Sequence, residues 1–139
     1  MDNIEIDGLR GAVSSLERGL AVFRQMDDSK VDIDLLEILR AGVIQTFEFT
    51  YELCWKYMRR WIAMNVGREY VDGVTRIELF RYAAENILID DVLKWMEFHK
   101  ARNLASHTYN EIIAKDVFQN AQEFLPYAKD FLQRIEKKI

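Results

Sequence analysis

Three side chains in one short stretch could together handle a phosphate group: Arg102, Asn103 and His107. A histidine exchanges protons near neutral pH, an arginine can hold a phosphate with two N–H groups, and an asparagine can orient its neighbours. Such a set suffices for metal-free RNA cleavage, in which a ribose 2′-hydroxyl attacks its own phosphorus. In that reaction His107 would move protons and Arg102 would stabilise the charge on the phosphoryl oxygens.

The spacing of these residues limits how they can meet. On a continuous helix Asn103 and His107 share a face, whereas Arg102 lies about 100° from Asn103 and about 140° from His107. One arrangement unwinds the helix near Ser106 and redirects His107 and Tyr109. The other brings two copies together so that Arg102 and His107 of both chains line one cleft, which predicts a homodimer.

A structural interpretation needs no chemistry from these residues. Arg102 could cap carbonyl groups at a helix end, Asn103 could stop the helix, and His107 could simply pack. The protein would then be an interaction bundle.

The same stretch resembles the motif of HEPN domains, in which an arginine and a polar residue are followed by a histidine a few positions later. With its tyrosine two residues after the histidine, the stretch resembles the motif of one subset of HEPN domains, those encoded beside minimal nucleotidyltransferases. An upstream block and a block before Arg102 are similar to the nucleotidyltransferase substrate-binding protein family, so the resemblance extends roughly from Leu16 to Leu132. The residues that carry it are Arg102-Asn103-Leu104-Ala105-Ser106-His107-Thr108-Tyr109, residues 44–56 (IQTFEFTYELCWK) and residues 91–96 (DVLKWM).

This resemblance implies an up-and-down bundle of four or five helices, a homodimer, and a complex with a separately encoded minimal nucleotidyltransferase, often as a toxin and antitoxin pair. It assigns ribonuclease roles to Arg102 and His107, and makes Tyr109 the position to which a partner attaches AMP. We group Ser106 with Tyr109 as candidates for modification or nucleotide binding. The older family name favours a second hypothesis, a non-catalytic subunit that binds a nucleotide or substrate for the partner.

Glu48 and Glu52 lie on the polar side of a long predicted helix, and they could support this motif. Glu48 and Glu52 are like charges on adjacent turns, an unfavourable arrangement unless a cation lies between them. Arg102 is a candidate for that cation. The alternative is that this polar side of the helix only faces water.

Other combinations of residues do not suggest chemistry. Two histidines and Cys54 lack a recognised metal spacing, so we expect no metal and no cofactor. His99 could reach the edge of the cleft, although a solvent-facing or core position is the simpler interpretation. Asp32 and Asp34 resemble the paired carboxylates of nucleotidyltransferases, but no Gly-Ser dipeptide precedes them, so the chain is not itself the transferase. We expect Cys54 to be a buried, inert thiol.

The composition limits the partners. A formal charge of −4 argues against a broad basic surface for duplex DNA, so any contact with nucleic acid must be local. No apolar run approaches the roughly 20 residues needed to cross a bilayer, and the amino terminus lacks the features of a signal peptide. We therefore expect a cytoplasmic protein without membrane contact. The densest basic region comprises Arg59, Arg60, Arg68, Arg76 and Arg81, and it could guide RNA, dock an acidic partner or only be solvated.

Apolar residues recur at spacings of three and four along most of the chain, which predicts helices throughout. The first helix starts near Leu9 and ends near Met26, and a helix of about thirty residues follows. Thr75 and Glu78 form a predicted capping box. Asp90 or Asp91 is expected to cap a fourth helix, and Pro126 predicts a kink or restart in the last. The fold class is therefore all-α, an antiparallel up-and-down bundle of four to five helices in one domain, residues 1–139.

Overall fold

The computed structural model describes residues 4–30 and 32–139, and helices dominate this part of the chain. In this part of the chain five α-helices follow one another, with two short 3₁₀ helices between them. None of the described residues forms a β-strand, so the predicted all-α class is confirmed. In chain order the helices are α1 (Asp7–Asp28), α2 (Ile33–Asn65), the 3₁₀ turn Arg68–Tyr70, α3 (Arg76–Glu85), α4 (Val92–Leu104), the 3₁₀ turn Ala105–His107 and α5 (Glu111–Glu136).

The first two helices run antiparallel. Tyr57 Oη donates to the Glu5 carbonyl over 2.6 Å, and Thr50 Oγ1 donates to the Ala12 carbonyl over 3.3 Å. The contact residues have decreasing numbers on α2 as they have increasing numbers toward and along α1, so the two helices run in opposite directions. With 33 residues, α2 is about 50 Å long.

The last two long helices complete the up-and-down order. Trp95 of α4 contacts Phe131 of α5, with ring centroids 6.1 Å apart, and Phe98 contacts Tyr127 at 5.3 Å. These pairs run in opposite directions along the two helices, so α4 and α5 are antiparallel. Helix α5 is also antiparallel to α1, as two ion pairs indicate: Arg10 with Glu136, and Glu17 with Lys129.

Helix ends follow local sequence rules. Thr75 and Glu78 form the predicted capping box, each accepting a hydrogen bond from the other's backbone N–H over 3.3 Å. Asp91, not Asp90, caps α4 by accepting from the Lys94 backbone N–H. Asp32 accepts from the backbone N–H of Asp34 and so caps α2.

Pro126 does not restart the last helix. Helix α5 continues from Glu111 to Glu136 with Pro126 inside it. Proline removes one N–H donor, but Phe124 and Ala128 on either side are completely buried, and their packing holds the helix in register across the lost bond.

A single hydrophobic cluster includes residues from all five helices. Phe124 lies at its centre, with ring centroids 5.2 Å from Phe47, 5.5 Å from Trp95 and 5.1 Å from Phe98. Cys54 is completely buried, as predicted, and burial raises the pKa of its thiol well above the ordinary value, which keeps it protonated and inert. This core fixes α4 against α2, and the candidate site lies along that contact.

Candidate functional site

Arg102 extends from α4 to two carboxylates of α2. Its Nε lies 3.0 Å from Glu52 Oε1, within hydrogen-bond distance, and its Nη1 lies 3.6 Å from Glu48 Oε2. Each of the three side chains is 31% exposed, so solvent screens the charges only in part. The predicted cation between Glu48 and Glu52 is therefore Arg102, and Nη2 is the guanidinium nitrogen that makes neither contact.

Partial burial changes the pKa of Glu48. Loss of water around Glu48 raises the pKa of that carboxyl, the charge of Arg102 lowers it, and the nearby charge of Glu52 raises it again. One guanidinium thus faces two carboxylates, and the cluster carries a formal charge of −1 when both are ionised.

A polar network continues behind Glu52. Its second carboxylate oxygen, Oε2, accepts a hydrogen bond from Trp55 Nε1 over 3.0 Å. The guanidinium of Arg76 lies over the Trp55 ring, 3.6 Å from the centroid, where a cation–π attraction holds it. Arg76 Nη1 in turn donates to the hydroxyl of Tyr51 over 3.5 Å.

This network extends to His99. Tyr51 is completely buried and its hydroxyl lies 2.7 Å from His99 Nδ1. Because Arg76 donates to that hydroxyl, the hydroxyl is free to donate to His99, which places the imidazole proton on Nε2. Asn103 Nδ2 lies 3.4 Å from His99 Nε2. With the proton on Nε2 both groups would be donors, so the Asn103 amide must be flipped for its oxygen to accept that proton.

His99 is half-buried and lies between Tyr51 and Asn103, in neither the solvent-facing nor the core position that the sequence favoured. Desolvation, followed by the charge of Arg76, lowers the pKa of His99, while Glu52 acts in the opposite direction. The neutral imidazole is therefore the favoured form at pH 7. The sequence had one signal for its contact with Asn103, the spacing of four residues.

The second half of the motif lies beyond the helix. Helix α4 ends at Leu104 and tightens into the 3₁₀ turn Ala105–His107, and Asn110 then caps α5 by accepting from the Ile112 and Ile113 backbone N–H groups. Ser106 and His107 are exposed, and Tyr109 is 86% exposed.

The structure therefore brings some of the predicted residues together and leaves others apart. Arg102 contacts Glu48 and Glu52, and Asn103 contacts His99. His107 contacts the Tyr109 ring, with centroids 6.0 Å apart, and within the described ranges no hydrogen bond joins it to Arg102. The helix does change course near Ser106, as the first predicted arrangement requires, but this change leaves His107 facing solvent.

A groove of about 340 Å³ runs beside Arg102 on the surface of α2. It is open, and it offers both a cation and an exposed aromatic ring to a ligand. Phe49 is 60% exposed there. The residues that line it are Gln45, Glu48, Phe49, Glu52, Leu53, Lys56 and Arg102.

Across residues 4–30 and 32–139, no three His, Cys, Asp or Glu side chains are grouped closely enough to hold a metal ion. Among the same residues, no helix is long and apolar enough to cross a membrane.

Comparison with known protein families identifies the class of protein. The chain belongs to the family described as nucleotidyltransferase substrate binding protein like, whose sequence model matches residues 4–137. The resemblance predicted from the two sequence blocks and the motif is thereby confirmed.

Particular relatives share this fold and sequence. A Haemophilus influenzae protein named "Probable ribonuclease HepT" is 29% identical over 140 residues, which cover 99% of this chain and 95% of that protein. A solved Haemophilus influenzae structure, described as the fold of a substrate binding domain of a nucleotidyltransferase, is similar with a TM-score of 0.87 at 28% identity, covering 95% of this chain and 99% of that one. A Thermus thermophilus structure has a TM-score of 0.63 at 25% identity, covering 86% of this chain and 97% of that one.

Proposed function

We propose that this chain is a HEPN-type, metal-independent ribonuclease subunit that pairs with a separately encoded minimal nucleotidyltransferase as toxin and antitoxin. The observation that carries the proposal is the placement of the motif. Arg102 is oriented by two carboxylates of α2, and His107 is exposed in the turn that immediately follows. The relative named as a probable ribonuclease supports the same activity.

The chemistry uses only side chains of this protein. The ribose 2′-oxygen attacks phosphorus and passes its proton to His107, the bond from phosphorus to the 5′-oxygen breaks, and a second acid protonates that oxygen. The products are a 2′,3′-cyclic phosphate and a 5′-hydroxyl. Arg102 Nη2 is the donor available to the phosphoryl oxygens, while Glu52 holds the same guanidinium through Nε. Asn103 orients the substrate with the amide face that His99 does not occupy.

A homodimer would complete this machinery. The reaction needs a base and an acid, and each chain provides one exposed histidine at the motif, His107. Two copies that meet at this end of α4 would supply two His107 and two Arg102 side chains to one cleft. This is the second arrangement that the sequence allowed.

The charge of the Arg102 cluster favours a second candidate function. Glu48 and Glu52 neutralise the one arginine and leave a formal charge of −1, which weakens attraction for an RNA phosphate. A subunit that only binds a nucleotide or substrate for its transferase could use the groove beside Phe49 and Lys56 without cleaving anything. The family description supports this alternative.

Cleavage of RNA by the purified chain distinguishes the two functions. The chain, free of any partner and in EDTA, is incubated with total RNA beside Arg102→Ala and His107→Ala variants whose helicity by circular dichroism matches the wild type. We expect cleavage by the wild type only, with loss of about 10²–10⁴-fold in His107→Ala, and 2′,3′-cyclic phosphate ends. No cleavage, or equal cleavage by all three proteins, would contradict the ribonuclease function and favour the second candidate, a subunit that only binds a nucleotide or substrate.

A further inference from the structure

A second groove lies next to the Arg102 cleft on α2, with a volume of about 740 Å³. Lys56 lines both grooves, so the two adjoin each other at this residue of α2. The lining residues are Trp55, Lys56, Arg59, Arg60, Ala63, Met64, Arg68, Val71 and Asp72.

The charge of this groove is opposite to that of the whole chain. The chain has a formal charge of −4, yet the groove is lined by one lysine and three arginines against a single carboxylate, Asp72. Asp72 Oδ1 lies 3.0 Å from Arg59 Nη2, and Asp72 Oδ2 lies 3.6 Å from Arg68 Nε. Within the described part of the chain, Lys56 and Arg60 form no ion pair with a carboxylate, so both can receive an anionic ligand.

The two grooves also share a structural link. Trp55 lines the basic groove and donates to Glu52, which holds Arg102. Arg76, a member of the basic region predicted from sequence, packs inward on the Trp55 ring, whereas Arg81 lies outside the groove lining. A chain of phosphates leaving the Arg102 cleft along α2 therefore meets Lys56 first and the arginines next.

We propose that this basic groove binds the phosphodiester backbone of single-stranded RNA on one side of the cleaved bond. The inference rests on the proposed function, since it extends the path of the same substrate. RNA fits better than an acidic protein because the groove adjoins the cleft where the cleaved phosphate would lie. A few cations in one groove match a short run of phosphates and not a duplex held over a broad surface.

The salt dependence of binding measures these phosphate contacts. The probe is a short single-stranded 2′-O-methyl RNA, which cannot be cleaved because it lacks the attacking hydroxyl. A Lys56→Gln, Arg60→Gln double variant should bind it roughly 10-fold more weakly near 0.1 M salt. The slope of log affinity against log salt should become shallower by about 0.7 for each cation removed. Arg24→Gln, an exposed change on α1, is the matched control and should bind like the wild type.

A variant that gains affinity excludes misfolding as the cause. Asp72→Asn removes the one carboxylate in the groove lining and releases Arg59 and Arg68, so it should bind the probe roughly 3-fold more tightly. Unchanged affinity and salt slope in the double variant would overturn the proposal. It would also be overturned if poly-glutamate bound the groove in a Lys56- and Arg60-dependent manner while RNA affinity did not depend on these residues, because the site would then fit an acidic protein.

The failure of this inference differs from the failure of the ribonuclease proposal. His107→Ala should lose cleavage, and its binding of the 2′-O-methyl probe should still depend on Lys56 and Arg60. If the wild type cleaves RNA but the groove variants bind normally, the proposed RNA binding by the groove is wrong and the ribonuclease proposal is retained. If the wild type cleaves nothing but the groove variants bind weakly, the ribonuclease proposal is wrong, and RNA binding by the groove is retained without its position beside a cleaved bond.

Discussion

The segment from Arg102 to Tyr109 has two halves that differ in their tertiary contacts and in their exposure to solvent. In the first half Arg102 is held by Glu48 and Glu52, and Asn103 contacts His99. In the second half Ser106, His107 and Tyr109 are exposed, and the backbone of these residues lies between two helices. Eight consecutive residues thus pass from a position fixed by tertiary contacts to one that solvent surrounds.

This difference separates what the chain organises alone from what another molecule must organise. The cation that would bind phosphate is oriented before any ligand arrives, which reduces the ordering cost of binding. The imidazole of His107 contacts the Tyr109 ring and, among the described residues, takes part in no hydrogen bond. Under the proposed function, a second copy or the RNA itself would have to order His107 and Tyr109.

The stability of variants should show the same division, and the largest effect is expected at Arg102. Arg102→Ala leaves Glu48 and Glu52 close together and only partly solvated, so the free energy of unfolding should fall by about 1–2 kcal/mol. His107→Ala removes an exposed side chain and should change it by less than about 0.5 kcal/mol. Urea unfolding followed by circular dichroism at pH 7 measures both.

A double-mutant cycle tests whether the Arg102 effect arises at the carboxylates. Glu52→Gln in the Arg102→Ala background should recover part of the loss, with a coupling energy of about 0.5–1.5 kcal/mol. Strictly additive losses would mean that Arg102 stabilises the fold through packing of its stem and not through the ion pair.

The pH dependence of stability should depend on His99. The folded pKa of His99 is lowered, chiefly by desolvation and by Arg76, so the unfolded chain binds the proton more readily. Stability should therefore fall as pH decreases through the unfolded value of about 6.5 and level off below the folded pKa. Thermal unfolding between pH 7.5 and pH 5.5 measures this trend.

His99→Asn is the informative variant, because it keeps an acceptor close to the position of Nδ1 for the Tyr51 hydroxyl. It should lose the dependence on pH in this range. His107→Ala is the control and should retain it. Equal loss in both variants would show that the Tyr51–His99 contact does not set the titration of the folded state.

Residues linked by local rules could be predicted from the sequence. The Thr75–Glu78 capping box depends on four consecutive residues. Arg102 could be named as a candidate contact because the like charges of Glu48 and Glu52 on adjacent turns are unfavourable without a cation between them; a solvated polar side of that helix was the alternative. Helical periodicity predicted the all-α bundle because each buried face repeats every three or four residues.

Contacts between distant side chains could not be predicted in this way. Tyr51 and His99 are 48 residues apart, and periodicity identifies Tyr51 as a core residue without indicating where its hydroxyl points. Arg76 belonged to a basic region by sequence, but its cation–π contact with Trp55 depends on the packing of α3 on α2. Of the kink or restart expected at Pro126, the restart is wrong, because α5 continues through Pro126 with buried residues on both sides of it.

The smallest effect on stability, and the clearest test of the exposed half, concerns Tyr109. The proposed partner would attach AMP there: Tyr109 Oη attacks the α-phosphorus of ATP, pyrophosphate leaves, and the hydroxyl proton passes to a base. Because the side chain is 86% exposed, Tyr109→Phe should change the free energy of unfolding by less than about 0.5 kcal/mol.

Incubation with the minimal nucleotidyltransferase of the same genome and ATP, followed by intact-mass measurement, should then show adenylylation of the wild type and none of Tyr109→Phe. Tyr70→Phe changes another exposed tyrosine and should be modified normally. Continued modification of Tyr109→Phe would place the acceptor elsewhere. Modification of the wild type that also abolishes its ribonuclease activity would link the exposed half of the motif to control of the half that the fold holds in place.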